Sequence, residues 1–162
     1  MDPRYSVVIP AYNEERLLGR LLDSIAIARA SYGQPDAIEV IVADNVSTDS
    51  TMKIAEARGC RVVSVGKRVI GAVRNAGAQA ARGEILAFID ADSQVHARTF
   101  LEIDRALATG RVVGGATGVT MERWSLGIAV TYLAIVPMVV VTGFDTGVVF
   151  CRKRDFATIG GY

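Results

Sequence analysis

The sequence has little cysteine and almost no net charge. Cys60 and Cys151, its only two cysteines, lie far apart, match neither a paired zinc spacing nor a disulfide framework, and read as reduced core thiols of a cytoplasmic protein. Eighteen Lys and Arg stand against seventeen Asp and Glu, a formal charge of +1. A broad electrostatic grip on nucleic acid is therefore not indicated, and any anion site has to be built locally. The opening Met1-Asp2-Pro3-Arg4-Tyr5-Ser6 has neither the basic start nor the apolar run of a secretory signal. Repeats, low-complexity tracts and linkers are missing as well, so 162 residues suit a single domain, 1–162, large enough to bury its own core.

Four short, β-branched, nearly continuous apolar runs, at 7–10, 38–43, 62–65 and 85–89, predict strands covered on both faces and hence a mainly parallel sheet. Helical stripes lie between them. Leu17, Leu18, Leu21, Leu22 and Ile25 form one; Val69, Val73, Ala76 and Ala80 form another; Phe100, Ile103 and Leu107 mark a later helix. Asn13 before Glu14 and Glu15 reads as a helix N-cap, Asp49 opens a helix that Gly59 closes, and Gly33 with Pro35 ends the first helix. Residues 111–119 and 147–150 add strand-like segments. Strands alternating with helices specify an α/β, Rossmann-like, doubly wound fold with helices on both faces. Residues 124–143 carry no charge and are long enough to span a membrane, but Pro137, several Ser and Thr and the strand-like sequence that follows favour a buried core helix. The alternative is a surface resting on a membrane or on a second copy of the chain.

The sharpest chemical feature is Leu86-Ala87-Phe88-Ile89-Asp90-Ala91-Asp92, a buried strand ending in two carboxylates one residue apart. Ligands of open α/β sheets sit beyond the carboxyl ends of the strands, where these acids fall. Carboxylates about 5 Å apart repel by roughly 3 kcal/mol at an effective dielectric of about 20, which favours a bound cation; oxygen ligands with positions left for phosphate suit Mg2+ or Mn2+. Read without that chemistry, Asp92 or Ser93 caps the next helix. Asp44 ends a second strand and can accept hydrogen bonds from a nucleobase or ribose, or serve as a turn acid. Pro10-Ala11-Tyr12-Asn13-Glu14 forms a third edge, where Tyr12 can stack on a base or simply pack. Arg74, on the small and polar side of its helix with Gly71, Asn75 and Ala78, can reach an anion at the sheet edge or form a surface ion pair. Lys67 and Arg68 are weaker candidates, and His96 reads first as a helix-start surface residue.

In this order the segments resemble the inverting family 2 glycosyltransferases of GT-A fold. The resemblance is carried by Val7-Val8-Ile9-Pro10-Ala11-Tyr12-Asn13-Glu14, Val42-Ala43-Asp44-Asn45-Val46-Ser47-Thr48-Asp49, Arg74-Asn75-Ala76-Gly77 with Ala81-Arg82-Gly83-Glu84, and Phe88-Ile89-Asp90-Ala91-Asp92. A fifth segment, Phe150-Cys151-Arg152-Lys153-Arg154-Asp155-Phe156 leading to Gly160-Gly161-Tyr162, resembles the stretch before the family's catalytic acid. Each is short, but five in register are specific. The resemblance implies a nucleotide-sugar donor, UDP-linked foremost, and an acceptor sugar or lipid-linked glycan. It also implies that Pro10, Ala11, Tyr12, Asn13, Glu14 and Asp44 line the nucleoside, that Arg74 lies near base and diphosphate, and that Asp90, Ala91 and Asp92 form the metal-binding Asp-X-Asp. Val46 stands where the family commonly has Gly. The acid that deprotonates the acceptor is expected beyond Tyr162, in a C-terminal part this chain lacks; within the chain Asp145 is the candidate, though it reads first as a loop acid near the sugar.

Two other readings stay open: a nucleotide-sugar-binding module completed by another chain, and a phosphatase using the first Asp of the pair as nucleophile. The second normally places its acids after the first strand of the core, whereas three strands precede Asp90 here. A dinucleotide enzyme would need a glycine-rich turn where Pro10-Ala11-Tyr12-Asn13 stands.

Overall fold

The apolar run at 7–10 lies within β1, Tyr5–Ala11, all seven residues of which are buried. The computed structural model describes residues 2–118 and 147–162, with 125–127, 129–131, 133 and 136. In it β1 pairs in parallel with β2 (Ile38–Asp44) on one side and β4 (Ile85–Phe88) on the other, and β3 (Arg61–Ser64) pairs in parallel with β2. β6 (Val149–Arg152) runs antiparallel to β4, and β5 (Gly114–Ala116) antiparallel to β6, giving the order β3-β2-β1-β4-β6-β5. The sheet is mainly parallel, as the sequence requires.

Period-two alternation divides the strands between two cores. Tyr5, Val7, Ile9 and Ala11 of β1, with Ile38, Val40 and Val42 of β2 and Ile85 and Ala87 of β4, face α1 (Leu18–Tyr32), α2 (Thr51–Ala57) and α4 (Thr99–Ala108). Val8, Ile41, Leu86 and Phe88 face α3 (Ile70–Ala80) and α5 (Lys153–Thr158). Helices therefore cover both faces, and the continuous apolar runs follow from that. Leu18, Leu21, Leu22 and Ile25 of α1 are buried, each contributing roughly 1.5–3 kcal/mol of transfer free energy. Phe100, Ile103 and Leu107 do the same from α4.

Several expectations shift. The first helix begins at Leu18, and Asn13 does not cap it: Asn13 has φ 56°, and its side chain serves the loop after β2. Gly33 and Gly59 take left-handed φ and close α1 and α2 as expected. β3 is an edge strand, so Val62 and Val63 are half-buried instead of covered on both faces. The 111–119 segment pairs only over Gly114–Ala116, and Val112 and Val113 are exposed. In α3 the expected stripe is displaced: Val69 is exposed and Ala76 and Ala80 are half-buried, while Val73, Gly77 and Ala78 are buried. The helix comes so close to β1 that a Cβ on Gly77 would lie 2.4 Å from Val8 Cγ1, so contact runs through small residues.

Much of 124–143 lies outside the described residues. Of those described, Leu126, Val130, Leu133 and Val136 are exposed, contrary to a core helix at these positions. Among the described residues no helix is long and apolar enough to cross a membrane.

The amino end of the sheet is tied by Asp104 of α4. Its Oδ1 accepts from Arg4 Nε (2.9 Å) and Nη2 (2.7 Å) and from the Tyr5 hydroxyl (2.7 Å); its Oδ2 accepts from the Tyr32 hydroxyl (2.8 Å). Burial pushes this carboxyl upward, but the donors from Arg4, Tyr5 and Tyr32 outweigh it and hold the group below its ordinary value. A depressed carboxylate contributes stability that is present above its unfolded pKa, near 3.9, and lost as pH falls through the folded value. Asp104→Asn should therefore cost about 2 kcal/mol at neutral pH, and the deficit should shrink below about pH 3.9. Urea denaturation at pH 7 and in acid checks this, and a deficit unchanged in acid would refute it.

Candidate donor site at the carboxyl ends of the sheet

The β1–β4 ladder stops at Val8–Phe88, whereas β1–β2 pairing continues to Ala11–Asp44. Strand order also reverses here, since β1 sends its connection to one side and β4 lies on the other. Loops from β1, β2 and β4 leave together at this edge, the position at which open α/β sheets bind ligands.

The loops after β1 and β2 lock to each other. Asn13 Oδ1 accepts the Thr48 N–H at 2.8 Å, and the Asn13 N–H donates to Ser47 Oγ at 3.0 Å. Glu14 N–H donates to Thr51 Oγ1 (2.8 Å), Glu15 N–H to Asp49 Oδ2 (3.1 Å), and Ser50 N–H to Glu15 Oε2 (3.1 Å). These amides were expected to open the first helix, and their capture by the second loop explains its later start. Asn45 extends the lock, donating from its backbone to Ala11 O (2.8 Å) and from Nδ2 to Val65 O (2.6 Å) and Lys67 O (2.9 Å).

Within this frame Pro10 and Ala11 are buried, and Tyr12 is exposed with the Arg68 guanidinium 5.5 Å from its ring centroid. Asp44 is fully buried. Its Oδ2 accepts the Ser47 N–H at 3.0 Å, and its Oδ1 finds no donor among the described residues. Arg74, reaching from α3, donates to Asp90 Oδ1 at 2.7 Å and lies 5.1 Å over the ring of Tyr162; its buried Nε also lacks a partner among the described residues. Asp90 and Asp92 are exposed and Ala91 is buried between them. Burial foremost, then Asp92 and Asp49, push the Glu14 carboxyl above its ordinary value.

Other candidates fall elsewhere. Asp145 lies outside the described residues. His96 is exposed, and its Nδ1 accepts the Arg98 N–H at 3.2 Å at the entry to α4, the helix-start role expected for it. Burial pushes the Cys60 and Cys151 thiols up to about 11, which makes both poor nucleophiles. A cleft of about 930 Å³ borders Asp90 and Asp92 and runs past Thr99 and Ile103 to Thr117 and Phe150. Sequence reasoning missed two participants. Asn45 carried a signal, an Asn directly after a strand; the packing of Tyr162 on Arg74 carried none beyond the order of the segments.

The pattern of glycosyl transferase family 2 matches residues 6–133. The chain belongs to this family. Dodecaprenyl-phosphate galacturonate synthase of Rhizobium johnstonii is 37% identical over 97 residues, covering 55% of this chain and 28% of that protein. The family member's fold is GT-A. Glucosyl-3-phosphoglycerate synthase from Mycobacterium tuberculosis, solved with Mn2+, UDP and glucosyl-3-phosphoglycerate, superposes with a TM-score of 0.67 at 26% identity, covering 94% of this chain and 57% of that one. Staphylococcus aureus TarS, solved with UDP-GlcNAc, superposes with a TM-score of 0.61 at 25% identity, covering 77% and 37%. The chain thus spans only 28% of the Rhizobium relative and little more than half of the longest-matched of these structures.

Val46, which the resemblance sets where Gly is common, has a backbone of the kind that favours Gly. Its φ is 58°, a left-handed conformation that a β-branched residue adopts only under strain, and its side chain is half in solvent. The hydrogen bonds of Asn45 and of Ser47 to Asp44 hold it there. Val46→Gly should raise stability by about 1 kcal/mol, the relieved strain exceeding the added unfolded-state entropy. Chemical denaturation checks the sign; a loss of stability would show that Val46 is at ease in its turn.

Proposed function

We propose that this chain is the donor-binding part of a glycosyltransferase that moves a sugar from a nucleoside diphosphate, UDP foremost, to a hydroxyl of an acceptor sugar or lipid-linked glycan, with inversion. The observation that carries the reading is Asp44 Oδ1, a buried acceptor without a donor among the described residues, at the sheet edge where Tyr12 is exposed. An unpaired buried acceptor costs about 1–3 kcal/mol, and an N–H of a nucleobase is a fitting partner. Tyr12 offers a ring for the base to stack on, and the locked loops pre-order Asp44 and Tyr12 before the nucleotide arrives.

In a one-step displacement, negative charge grows on the departing diphosphate. Arg74 is the cation of this chain assigned to it, with an Nε that lacks a partner among the described residues and a guanidinium held by Tyr162 and Asp90. Asp90 and Asp92 fit a divalent cation in chemistry: both are exposed and both give hard oxygen donors. Among the described residues no group of three or more metal-ligating side chains gathers, so phosphate and water would complete the shell. Such an ion, Mn2+ or Mg2+, would supply positive charge to the leaving diphosphate. The proton of the acceptor is assigned to an acid of the protein beyond Tyr162. In this reading the reaction is cytoplasmic.

Two binding experiments test the assignments. Asp44→Ala should weaken UMP and UDP alike, by roughly tenfold or more, because the contact is remote from the diphosphate. Equal UMP affinity in a folded variant would remove Asp44 from the nucleoside site. Asp92→Asn should leave UMP binding nearly intact and abolish most of the gain in UDP affinity that Mn2+ brings. Calorimetry with and without Mn2+ reads both, and UDP affinity indifferent to the metal in the unmutated chain would end the metal assignment.

A further inference from the structure

Arg74 is not held by Asp90 alone. Its guanidinium lies 5.1 Å over the Tyr162 ring, on which the positive charge meets the negative π face. That ring is fixed from three directions. Asn75, the next residue of α3, clamps the Tyr162 backbone at two points: its Oδ1 accepts the Tyr162 N–H at 2.9 Å and its Nδ2 donates to the Tyr162 carbonyl at 3.0 Å. Phe88 of β4 meets the ring edge-on, with centroids 5.2 Å apart and an interplanar angle of 89°, and Phe156 of α5 lies 5.8 Å away. The approach depends on Gly161, whose φ is 83° and where a Cβ would stand 2.6 Å from Asn75 Oδ1.

These contacts close a loop through the structure. β4 carries Phe88, Phe88 bears on Tyr162, Tyr162 bears on Arg74, and Arg74 returns to Asp90 two residues beyond Phe88. Asp90 pulls the guanidinium from one side and the ring supports it from the other, so its side chain is only 23% exposed at a surface edge.

We propose that Tyr162 is a positioning residue for Arg74, ordering the guanidinium for a diphosphate through its ring face without touching the nucleotide itself. The diphosphate in this statement rests on the function proposed above; the ordering of Arg74 does not. Tyr162→Phe keeps the ring, whereas Tyr162→Leu keeps an apolar contact for Phe88 and removes the π face. In the nucleotide-free protein the 15N Nε–H signal of Arg74, assigned by its loss in Arg74→Lys, should be that of an ordered side chain in the unmutated protein and in Tyr162→Phe. In Tyr162→Leu it should collapse to that of a freely rotating arginine. UDP affinity should fall roughly tenfold in Tyr162→Leu and stay unchanged in Tyr162→Phe, and Tyr162→Leu should have no further effect in an Arg74→Ala background. An ordered Arg74 signal in Tyr162→Leu overturns the proposal, as does a loss of UDP affinity that persists without Arg74. If the unmutated protein does not bind UDP, the donor-site reading falls, and the Arg74 signal alone then tests the positioning role.

Discussion

The register of β1 is the constraint on which the rest of the molecule depends. The strand is buried on both faces and paired on both edges, so slipping it by one residue would exchange Tyr5, Val7 and Ile9 with Ser6 and Val8 and present each core with the other's side chains. That register is coupled to chemistry. Parallel pairing sets Ala11 opposite Asp44 and Val8 opposite Phe88, and so fixes how far Asp44 and Asp90 project beyond the sheet. The two acids belong to one edge because the hydrophobic alternation of three strands puts them there.

The two ends of the sheet solve opposite problems. At the amino end polar groups are satisfied internally: Asp104 collects Arg4, Tyr5 and Tyr32, and Ser6 donates to Glu39 at 2.6 Å while accepting from Gly83 N–H at 2.8 Å. At the carboxyl end Asp44 Oδ1 and Arg74 Nε are buried without partners among the described residues. A third such atom, Asp155 Oδ2, sits on α5. Cost in folding at one end is tolerable because the other end and the two cores supply the stability, and groups left unpaired are then available to a ligand.

The sequence announced most of this frame because burial on both faces leaves a simple mark. The continuous apolar runs of β1, β2 and β4 mark covered parallel strands, and Asp44 and Asp90 at the ends of two of them read as edge residues; β3, an edge strand, is the run that is not covered on both faces. What escaped was long-range. Asn13 looked like a helix cap because local spacing favours it, yet its partner, Thr48, is a residue of the next loop. The α3 stripe was misplaced because hydrophobicity points to Val69 and Ala76, whereas the approach to Val8 selects Gly77 for its lack of a side chain. No local pattern could foretell that Tyr162 would support Arg74, since the pairing joins residues whose only link is the folded sheet.

Charge sets a further constraint at the carboxyl end of the sheet. Arg74 and Asp90 neutralise each other at 2.7 Å, but with the carboxylate side chain 55% exposed the pair is screened and easily rearranged. What remains nearby is acidic: burial is the main cause that raises the Glu14 carboxyl, and Asp92 and Asp49 add to it. A diphosphate brought to this edge would add negative charge to an edge already rich in it. Arg74 cannot offset that alone while it serves Asp90, and the chain's overall charge of +1 provides no field to help. Under the proposed function, the same acids that would repel a diphosphate would become its attachment once a divalent cation lay between them, and that cation and the Arg74 guanidinium would share one electrostatic task.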